Sequence, residues 1–311
     1  MTYSLGIDLG GTFTKAALVA PDGRVLAFEK LPTAAHRSPE AVFAELRAHL
    51  EPTAAPWPPP GGCGIGVPGT VDYRSGRLGL SGPLGWRDTD LAALASAALG
   101  CRVFVDIDVN AGALADLYFG CARQSSEMLY ISWGTGIGAG FIVGRRLYHS
   151  RGGAMGNFGH MPADPSSSRV CYCGARGCLE IEAGGKAMTD QVRERLATGE
   201  PSILRGSDIT PERLSWAAGR GDRPAVDVLN RSAVLMARAL AGILAFLNPD
   251  TVVFAGGVTQ CFSTILEVFD AELRRNTPTF SMATTRILQS SFGESAGAVG
   301  AALLPADRRK P

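Results

Sequence analysis

The chain has 311 residues, of which 46% are hydrophobic and 19% are charged, and its formal net charge is +1. This length suits two lobes better than one small core. The near-neutral charge argues against the basic surface that nucleic-acid-binding and anionic-membrane-binding proteins carry. The N-terminal apolar segment is short and is interrupted by Asp8, so it predicts a strand and not a secretion signal. We therefore expect a cytoplasmic protein that binds neither nucleic acid nor membrane.

Strand and helix patterns alternate along the chain, which is typical of an α/β protein. The predicted elements are, in chain order, strands at 3–8, 15–20 and 25–28, a helix that starts at 38–39, a strand at 63–67, a helix at 90–99, a strand at 103–105, a helix at 110–119, a strand at 128–132, a hairpin at 141–148, a long helix at 222–247, a strand at 251–255 and a terminal helix near 296–304. The apolar segment 232–247 contains Arg238 and is short for a bilayer span, so we expect a buried helix.

The first glycine-rich segment follows the N-terminal strand. The residues in it that could bind phosphate or a metal ion are Asp8, Gly10, Gly11, Thr12 and Lys15. A strand that ends in a carboxylate and a Gly-Gly-Thr turn offers backbone N–H groups to phosphate oxygens, and the carboxylate can hold Mg²⁺ directly or through water. The alternative is that the glycines only form a hairpin. The segment lacks the Gly-Lys-Ser/Thr ending of a Walker A loop.

A second glycine-rich loop repeats this design after the strand at 128–132. Its members are Gly134, Thr135, Gly136 and Gly138. Two such loops, each between a strand and a hairpin, predict two related halves that bind a triphosphate together. The pair Gly256-Gly257 follows the strand at 251–255 and offers a third flat backbone surface, suited to adenine or ribose.

Three of the seven cysteines lie within eight positions, at Cys171, Cys173 and Cys178. In a reducing compartment such a cluster indicates a metal rather than disulfides. His160, eleven residues earlier, is the natural fourth ligand. The pattern predicts a closed, structural Cys₃His zinc site.

Asp108 follows the predicted strand at 103–105 and precedes a helix. A carboxylate at this position can accept the proton of an attacking hydroxyl, although an isolated aspartate here is more often a helix N-cap. Asp106 is the competing candidate, two residues earlier.

Taken together, these motifs resemble the ROK family of bacterial sugar kinases and repressors, within the actin-like ATPase superfamily. The resemblance covers nearly the whole chain, through the segments 8–15, 64–72, 108–111, 134–138, 159–161, 171–180 and 256–257. It implies an α/β, two-lobed actin-like ATPase (ribonuclease H-like) fold with a zinc-binding loop. Residues 1–107 and 296–311 would form the smaller lobe, and residues 108–295 the larger lobe, which carries the zinc site.

The resemblance also assigns roles. It implies an ATP-dependent, Mg²⁺-dependent kinase in which Asp108 is the general base and the two glycine-rich loops bind the phosphates. The sugar would be held by Gly69, Asp108, Asn157, His160 and Glu180, and the imidazole nitrogen of His160 that is not bound to zinc would face the sugar. The primary, O6-type hydroxyl would be the acceptor, and a homodimer is expected.

Three positions depart from the hexokinase pattern of the family. Ile107 stands where most members have Asn, Asn157 stands where they have Glu, and the segment 81–86, which includes Gly82, lacks the usual Asn. Each missing group would hydrogen-bond a ring hydroxyl, and a buried hydroxyl without a partner costs about 1–3 kcal/mol. We therefore expect a hexose altered on the ring, such as an amino or deoxy sugar, or a carbocyclic mimic.

Three alternatives to an ATP-dependent kinase remain. Because Asp8 lies close to the first residue, we do not expect the helix-turn-helix domain that repressors of this family carry ahead of the kinase-like body. A catalytically silent sugar sensor is a stronger alternative, although the presence of Asp108 argues against it. A polyphosphate-dependent glucokinase would need the same loops.

Overall fold

The computed structural model describes residues 3–33, 37–54, 60–150 and 156–308. Within these residues the chain forms a mixed α/β protein, as the alternating pattern predicts. The strands are β1 (Ser4–Leu9), β2 (Phe13–Val19), β3 (Val25–Pro32), β4 (Cys63–Val67), β5 (Thr70–Asp72), β6 (Arg77–Ser81), β7 (Trp86–Asp90), β8 (Val103–Ile107), β9 (Met128–Trp133), β10 (Ile137–Val143), β11 (Arg146–Leu147), β12 (Thr251–Ala255) and β13 (Arg286–Gln289).

The helices fall mainly in the second half of the chain. They are α1 (Pro39–Ala54), α2 (Leu91–Leu99), α3 (Asp108–Tyr118), α4 (Leu179–Ala183), α5 (Gly185–Ala197), α6 (Pro211–Ala218), α7 (Arg223–Leu247), α8 (Phe262–Asn276), α9 (Thr279–Thr284), α10 (Ala296–Ala301) and α11 (Leu304–Asp307). Side-chain caps define several starts, since Asp90 accepts from the N–H of Ala93 and Asp222 accepts from that of Ala225. Where the sequence predicts one terminal helix near 296–304, the structure has two short helices, α10 and α11.

The strands form three sheets. The first has the order β3-β2-β1-β4-β8, the second β11-β10-β9-β12-β13, and the third β5-β6-β7. In the first sheet, β1, β4 and β8 run parallel, while β2 and β3 continue it as antiparallel strands. The predicted hairpins that follow the two glycine-rich loops are β2–β3 and β10–β11. The third sheet was not predicted from the sequence.

The chain divides into two compact units. Unit 1 comprises residues 1–130, 140–156 and 290–311, and unit 2 comprises residues 131–139 and 157–289. The predicted boundary between residues 107 and 108 does not coincide with this division, because α3 packs on β4, β8 and α10 and therefore belongs to unit 1. Residues 290–311, which include α10 and α11, belong to unit 1.

The core of unit 1 depends on very close contact between α10 and its neighbours. A Cβ atom on Gly6 of β1 or on Gly64 of β4 would lie 1.9 Å from a backbone oxygen of α10, that of Ala298 or Ala301 respectively. A Cβ atom on Gly300 would lie 1.6 Å from the carbonyl oxygen of Ala111 in α3. Only glycine permits these approaches.

Helix α7 is the centre of unit 2 and packs against α4, α5, α6 and α8. It is long and apolar enough to cross a membrane by composition alone, yet 56% of its most apolar window is buried inside the structure. This burial fits the core helix that the sequence predicts for residues 232–247.

The glycine contacts of α10 lead to a stability prediction. We expect Gly64→Ala to lower the free energy of unfolding by about 1–3 kcal/mol, because the added methyl group overlaps a backbone oxygen that cannot move freely. Chemical denaturation followed by circular dichroism measures the change. The matched control is Gly242→Ala in α7, where an added Cβ meets nothing within 4 Å; it should be neutral or stabilise by up to about 1 kcal/mol. Equal stability of the Gly64→Ala variant and the unmodified protein would contradict the packing argument.

Candidate active site and metal centre

Acidic residues collect at one edge of the first sheet, in unit 1. The strand register pairs Asp8 of β1 with Gly66 of β4, and Gly66 with Asp106 of β8. Because these strands are parallel, their carboxyl ends lie at the same edge, where ligands of open α/β sheets bind. Asp108 follows β8 at this edge and is the first residue of α3.

Asp8 is a mostly buried carboxylate at the end of β1, with its side chain 18% exposed. Its Oδ2 lies 3.4 Å from Nζ of Lys15 on β2, and its carboxyl group packs so closely on Gly297 that a Cβ there would lie 2.6 Å from Cγ. Burial raises the pKa of Asp8, while the Lys15 ammonium opposes the shift. A carboxylate in this setting is suited to a further cation such as Mg²⁺.

The turns beside Asp8 leave little room for side chains. A Cβ on Gly10 would lie 2.8 Å from the oxygen of Phe13, and one on Gly11 would lie 2.8 Å from Cβ of Pro83. Thr12 is exposed. Gly69, in the turn after β4, has a φ of +129° that favours glycine.

Asp108 is not the cap of α3. The N-cap is Ile107, and no side chain caps this helix. The Oδ1 of Asp108 lies 2.8 Å from the backbone N of Val109, and its side chain is partly exposed. Gly66 lies against it, since a Cβ there would be 3.2 Å from Cα of Asp108. Asp108 is therefore the first residue of the helix and not its N-cap residue, and its side chain accepts the N–H of Val109.

Asp106, the competing base, is committed to other groups. It is 2% exposed. Its Oδ1 accepts from Ile107 N at 2.8 Å and from Asn110 Nδ2 at 2.8 Å. Its Oδ2 contacts His149 Nε2 at 2.7 Å and Arg308 Nη2 at 2.6 Å. Burial acts to raise the pKa of Asp106, but these donors outweigh it and hold the pKa below its ordinary value. Since four partners fill its oxygens, Asp106 has little capacity to take a proton from a substrate.

The four predicted zinc ligands come together in unit 2. One ligand atom each from His160, Cys171, Cys173 and Cys178 lies within 4.8 Å of all the others. Burial raises the pKa of the Cys178 thiol to about 12, so a thiolate there needs a neighbouring cation. Three thiols and an imidazole at this separation fit a tetrahedral zinc ion.

The two ring nitrogens of His160 face different partners. Nδ1 lies 3.5 Å from Sγ of Cys171, and Nε2 lies 3.0 Å from the hydroxyl oxygen of Tyr172. The sequence-based expectation gives the second nitrogen to a sugar. In this structure it contacts Tyr172, whose ring also packs edge-on against the imidazole at 4.9 Å. Tyr172 was not singled out from the sequence.

Glu180 connects the zinc loop with the second glycine-rich loop. Its Oε2 accepts the backbone N–H of Ile137 at 2.8 Å, and a Cβ on Gly136 would lie 2.3 Å from the same oxygen. Gly159 lies directly before His160, and a Cβ on it would lie 2.2 Å from the carbonyl oxygen of Ile137. The candidate sugar ligand Glu180 thus also holds the candidate phosphate loop.

The second glycine-rich loop is held by the start of α5. Gly185 N donates to the Gly134 carbonyl at 2.8 Å, and Lys186 N donates to the Thr135 carbonyl at 3.1 Å. Gly138 lies within β10 and not in the loop. The start of α5 was missed by the sequence reasoning, although the doublet Gly184-Gly185 before a helix was a usable signal.

The third glycine pair lies against this loop. Gly256 has a φ of +93°, and a Cβ there would be 2.5 Å from the carbonyl oxygen of Trp133. A Cβ on Gly134 would lie 3.9 Å from Gly257 N. Unit 2 therefore brings its predicted nucleotide-binding glycines together, as unit 1 does for Asp8 and the edge that carries Asp108.

The three positions that depart from the family pattern have different surroundings. Ile107 is buried, with 7% of its surface exposed, and Asn157 is exposed at the start of the 3₁₀ helix that ends at His160. Around Gly82, a Cβ would meet nothing within 4 Å. The Oγ of the preceding Ser81 is buried without a hydrogen-bond partner among the described residues.

The sequence and fold match known proteins over nearly the whole chain. The model of the ROK family matches residues 4–308. The glucokinase of Thermotoga maritima is 30% identical, over 98% of this chain and 97% of that protein. The solved structure of a ROK family glucokinase from Streptomyces griseus in complex with glucose and AMPPNP has a TM-score of 0.83 and 28% identity, over 97% of this chain and 98% of that one.

A regulator is equally similar in structure. A ROK family transcriptional regulator, described as a homologue of the E. coli Mlc protein, has a TM-score of 0.87 and 29% identity, over 98% of this chain and 78% of that chain. The actin-like α/β fold predicted from the sequence is confirmed by these likenesses.

The cluster of His160, Cys171, Cys173 and Cys178 leads to a metal-binding prediction. We expect the unmodified protein to hold about one zinc ion per chain. When a zinc ligand loses a hydrogen bond from a group that does not itself bind the metal, metal binding typically weakens by about 10–100-fold. Cys178→Ser removes a ligand itself, so it should weaken zinc binding by more than this. Competition with a chromophoric chelator measures the affinity. The control is Cys261→Ser, which changes another buried cysteine; equal zinc affinity in both variants would contradict the assignment.

Proposed function

Since the chain belongs to the ROK family and its likenesses make it an ATP-dependent sugar kinase, we propose that Asp108 is the general base that activates the acceptor hydroxyl. The acceptor is the primary, O6-type hydroxyl of a hexose, a modified hexose or a carbocyclic mimic. The enzyme acts as a soluble, cytoplasmic protein and as a homodimer.

One observation carries this proposal: the position of Asp108 at the carboxyl edge of β1, β4 and β8. Asp108 is the first residue of α3 and is partly exposed, whereas the neighbouring Asp106 is buried and its two oxygens contact four partners. Asp8 occupies the same edge. The carboxylate that accepts the proton, Asp108, and the carboxylate that would hold the metal, Asp8, are thus separate residues at one sheet edge, and phosphoryl transfer to an alcohol uses both functions.

The reaction moves one proton and one phosphoryl group. Asp108 accepts the proton of the primary hydroxyl as the oxygen forms a bond to the terminal phosphorus of ATP. The bond between that phosphorus and its bridging oxygen breaks, and the electron pair leaves with ADP. When bound, Mg²⁺ neutralises charge on the phosphates, and Asp8 would hold it directly or through water.

Backbone groups carry most of the proposed nucleotide recognition. In unit 1 these are the amides of Gly11 and Thr12, with Lys15 as the cation, while Gly10, whose N–H donates to the Phe13 carbonyl at 3.1 Å, shapes the turn. In unit 2 the loop that begins at Gly134 would bind phosphate, and Gly256-Gly257 would contact the adenosine part. Glu180, bonded to the N–H of Ile137, holds this loop while its second oxygen contacts the sugar. Gly69, Asn157 and His160 are the further sugar contacts.

The substrate is a ring-modified sugar or sugar mimic. The buried apolar side chain of Ile107 offers no hydrogen bond to a hydroxyl, and a Cβ at Gly82 would meet nothing within 4 Å. A substituent that is less polar or larger than a hydroxyl is accepted more readily by such a pocket than by one lined with Asn and Glu.

A sugar-responsive regulator is the second candidate, because the ROK family regulator structure resembles this chain as closely as the kinase structure does. The two differ in turnover. A kinase releases ADP from ATP when the right sugar is added, and a sensor binds the sugar without releasing ADP. Transfer from polyphosphate without any nucleotide would identify the third candidate, a polyphosphate-dependent kinase.

The role of Asp108 leads to a kinetic prediction. We expect Asp108→Asn to lower kcat by about 10²–10⁴-fold, because a positioned general base contributes this much, while binding of a non-hydrolysable ATP analogue is preserved. Coupled ADP release and calorimetry measure the two quantities. Asp22→Asn, at an exposed aspartate paired with Arg24, is the control and should leave kcat unchanged. Full activity of Asp108→Asn would refute the mechanism.

The three positions that depart from the family pattern, Ile107, Asn157 and Gly82, lead to a specificity prediction. In a panel of hexoses, amino and deoxy sugars and cyclitols, we expect at least one modified compound to have a higher kcat/KM than glucose. The triple variant Ile107→Asn, Asn157→Glu and Gly82→Asn should shift the ratio towards glucose, by about tenfold or more for each restored hydrogen bond worth ~1.4 kcal/mol. Preference for glucose in the unmodified enzyme would disprove the specificity argument, even if Asp108 acts as proposed.

A further inference from the structure

The carboxylate of Asp106 joins three segments of unit 1 that are distant in sequence. It lies in β8, while His149 follows β11 and Arg308 follows α11. Oδ2 receives both of these side chains, at 2.7 and 2.6 Å. The side chain of Asp106 is 2% exposed, and those of His149 and Arg308 are 13% and 15% exposed. This is a buried ion-pair cluster, and removing one partner of such a pair is strongly destabilising.

Tyr73 orders the two groups that contact Oδ2. The His149 ring is stacked on the Tyr73 ring with centroids 3.8 Å apart and planes 15° apart. The Arg308 guanidinium lies 4.4 Å from the centroid of the same ring, and its Nη1 donates to the Tyr73 carbonyl at 2.6 Å. Tyr73 therefore packs against both side chains that contact Oδ2 of Asp106.

The other oxygen of Asp106 faces the start of α3. Oδ1 accepts the N–H of Ile107 and the amide of Asn110, each at 2.8 Å. These bonds bracket Asp108 on both sides along the chain. They fix the corner where β8 turns into α3, in a helix whose N-cap Ile107 supplies no side-chain bond of its own.

We propose that Asp106, anchored by His149 and Arg308, is the positioning residue that holds Asp108 in place to accept the proton of the substrate. The inference rests on the proposed role of Asp108. Asp106 itself does not touch the substrate. Its function is to transmit the rigidity of the buried cluster to the first turn of α3, where a displacement of about 1 Å can cost on the order of a hundredfold in rate.

The test is a double-mutant cycle on kcat with the variants Asp106→Asn and Asp108→Asn. We expect Asp106→Asn alone to lower kcat on the order of a hundredfold, with the KM values for ATP and sugar nearly unchanged. In the Asp108→Asn background, Asp106→Asn should cause little further loss, because residues that act as a unit are not additive. Two independent losses that multiply would overturn the inference and leave Asp106 with a general structural role.

The matched control removes a similar buried carboxylate elsewhere. Glu272 is 7% exposed and pairs with Arg238 and Arg275 in unit 2. We expect Glu272→Gln to lower the melting temperature without lowering kcat. An equal fall of kcat in Glu272→Gln and Asp106→Asn would also overturn the inference.

His149 provides a second series in case Asp106→Asn does not fold. His149→Phe keeps a ring against Tyr73 but removes the contact to Asp106, and it should lower kcat by less than Asp106→Asn does. His149→Gln offers an amide donor and should recover most of that loss. If Asp108→Asn lowers kcat while both His149 variants and Asp106→Asn keep full activity, the positioning role fails and the proposed function stands. If Asp108→Asn is itself fully active, the proposed function fails as well.

Discussion

The structure of unit 1 depends on the distance between α10 and the strands beneath it. Backbone meets backbone where Gly6, Gly64 and Gly300 carry no side chain, so that α10 lies directly on β1 and β4 and against α3. Interiors packed at this density transmit displacements instead of absorbing them. The same helix presses Gly297 against the carboxyl group of Asp8. Helix α10 therefore packs against both the candidate metal ligand Asp8 and the helix that bears Asp108.

In unit 2, the candidate site residues are held in place by backbone contacts around the cysteine loop and not by a closely packed helix. Its zinc loop contains an isolated bridge between Pro162 and Cys178, and Leu179 N donates to the Met161 carbonyl at 2.9 Å. Glu180, two residues after the last cysteine, then reaches the backbone of Ile137. A bound zinc ion would stiffen this path from the thiols to the glycine-rich loop without taking part in the reaction.

Local signals in the sequence predicted the elements and motifs that are continuous along the chain. The strands at 63–67 and 251–255 have the predicted bounds, and the cysteine spacing located a cluster whose ligand atoms do meet. The sheet β5-β6-β7 was missed because its strands are short and have few buried positions, which leaves no clear apolar alternation.

Long-range partners were not predictable in the same way. Nothing near Asp106 indicates that its partners are His149 and Arg308, which lie 43 and 202 residues away. The helix contacts that require Gly6, Gly64 and Gly300 depend equally on tertiary structure, since a glycine in a strand also fits a bulge or a turn. The bonds from Gly185 N and Lys186 N to the loop at Gly134 are likewise long-range contacts, although the doublet Gly184-Gly185 did indicate the start of a helix.

The late position of α10 in the chain has a consequence for biosynthesis. Strands β1 and β4 are made first, but the helix that covers them is encoded some two hundred residues further on. At about 5–20 residues per second, the ribosome leaves this apolar surface uncovered for on the order of ten seconds or more. During that interval the nascent N-terminal half cannot complete its own core and is exposed to association with other chains and with chaperones.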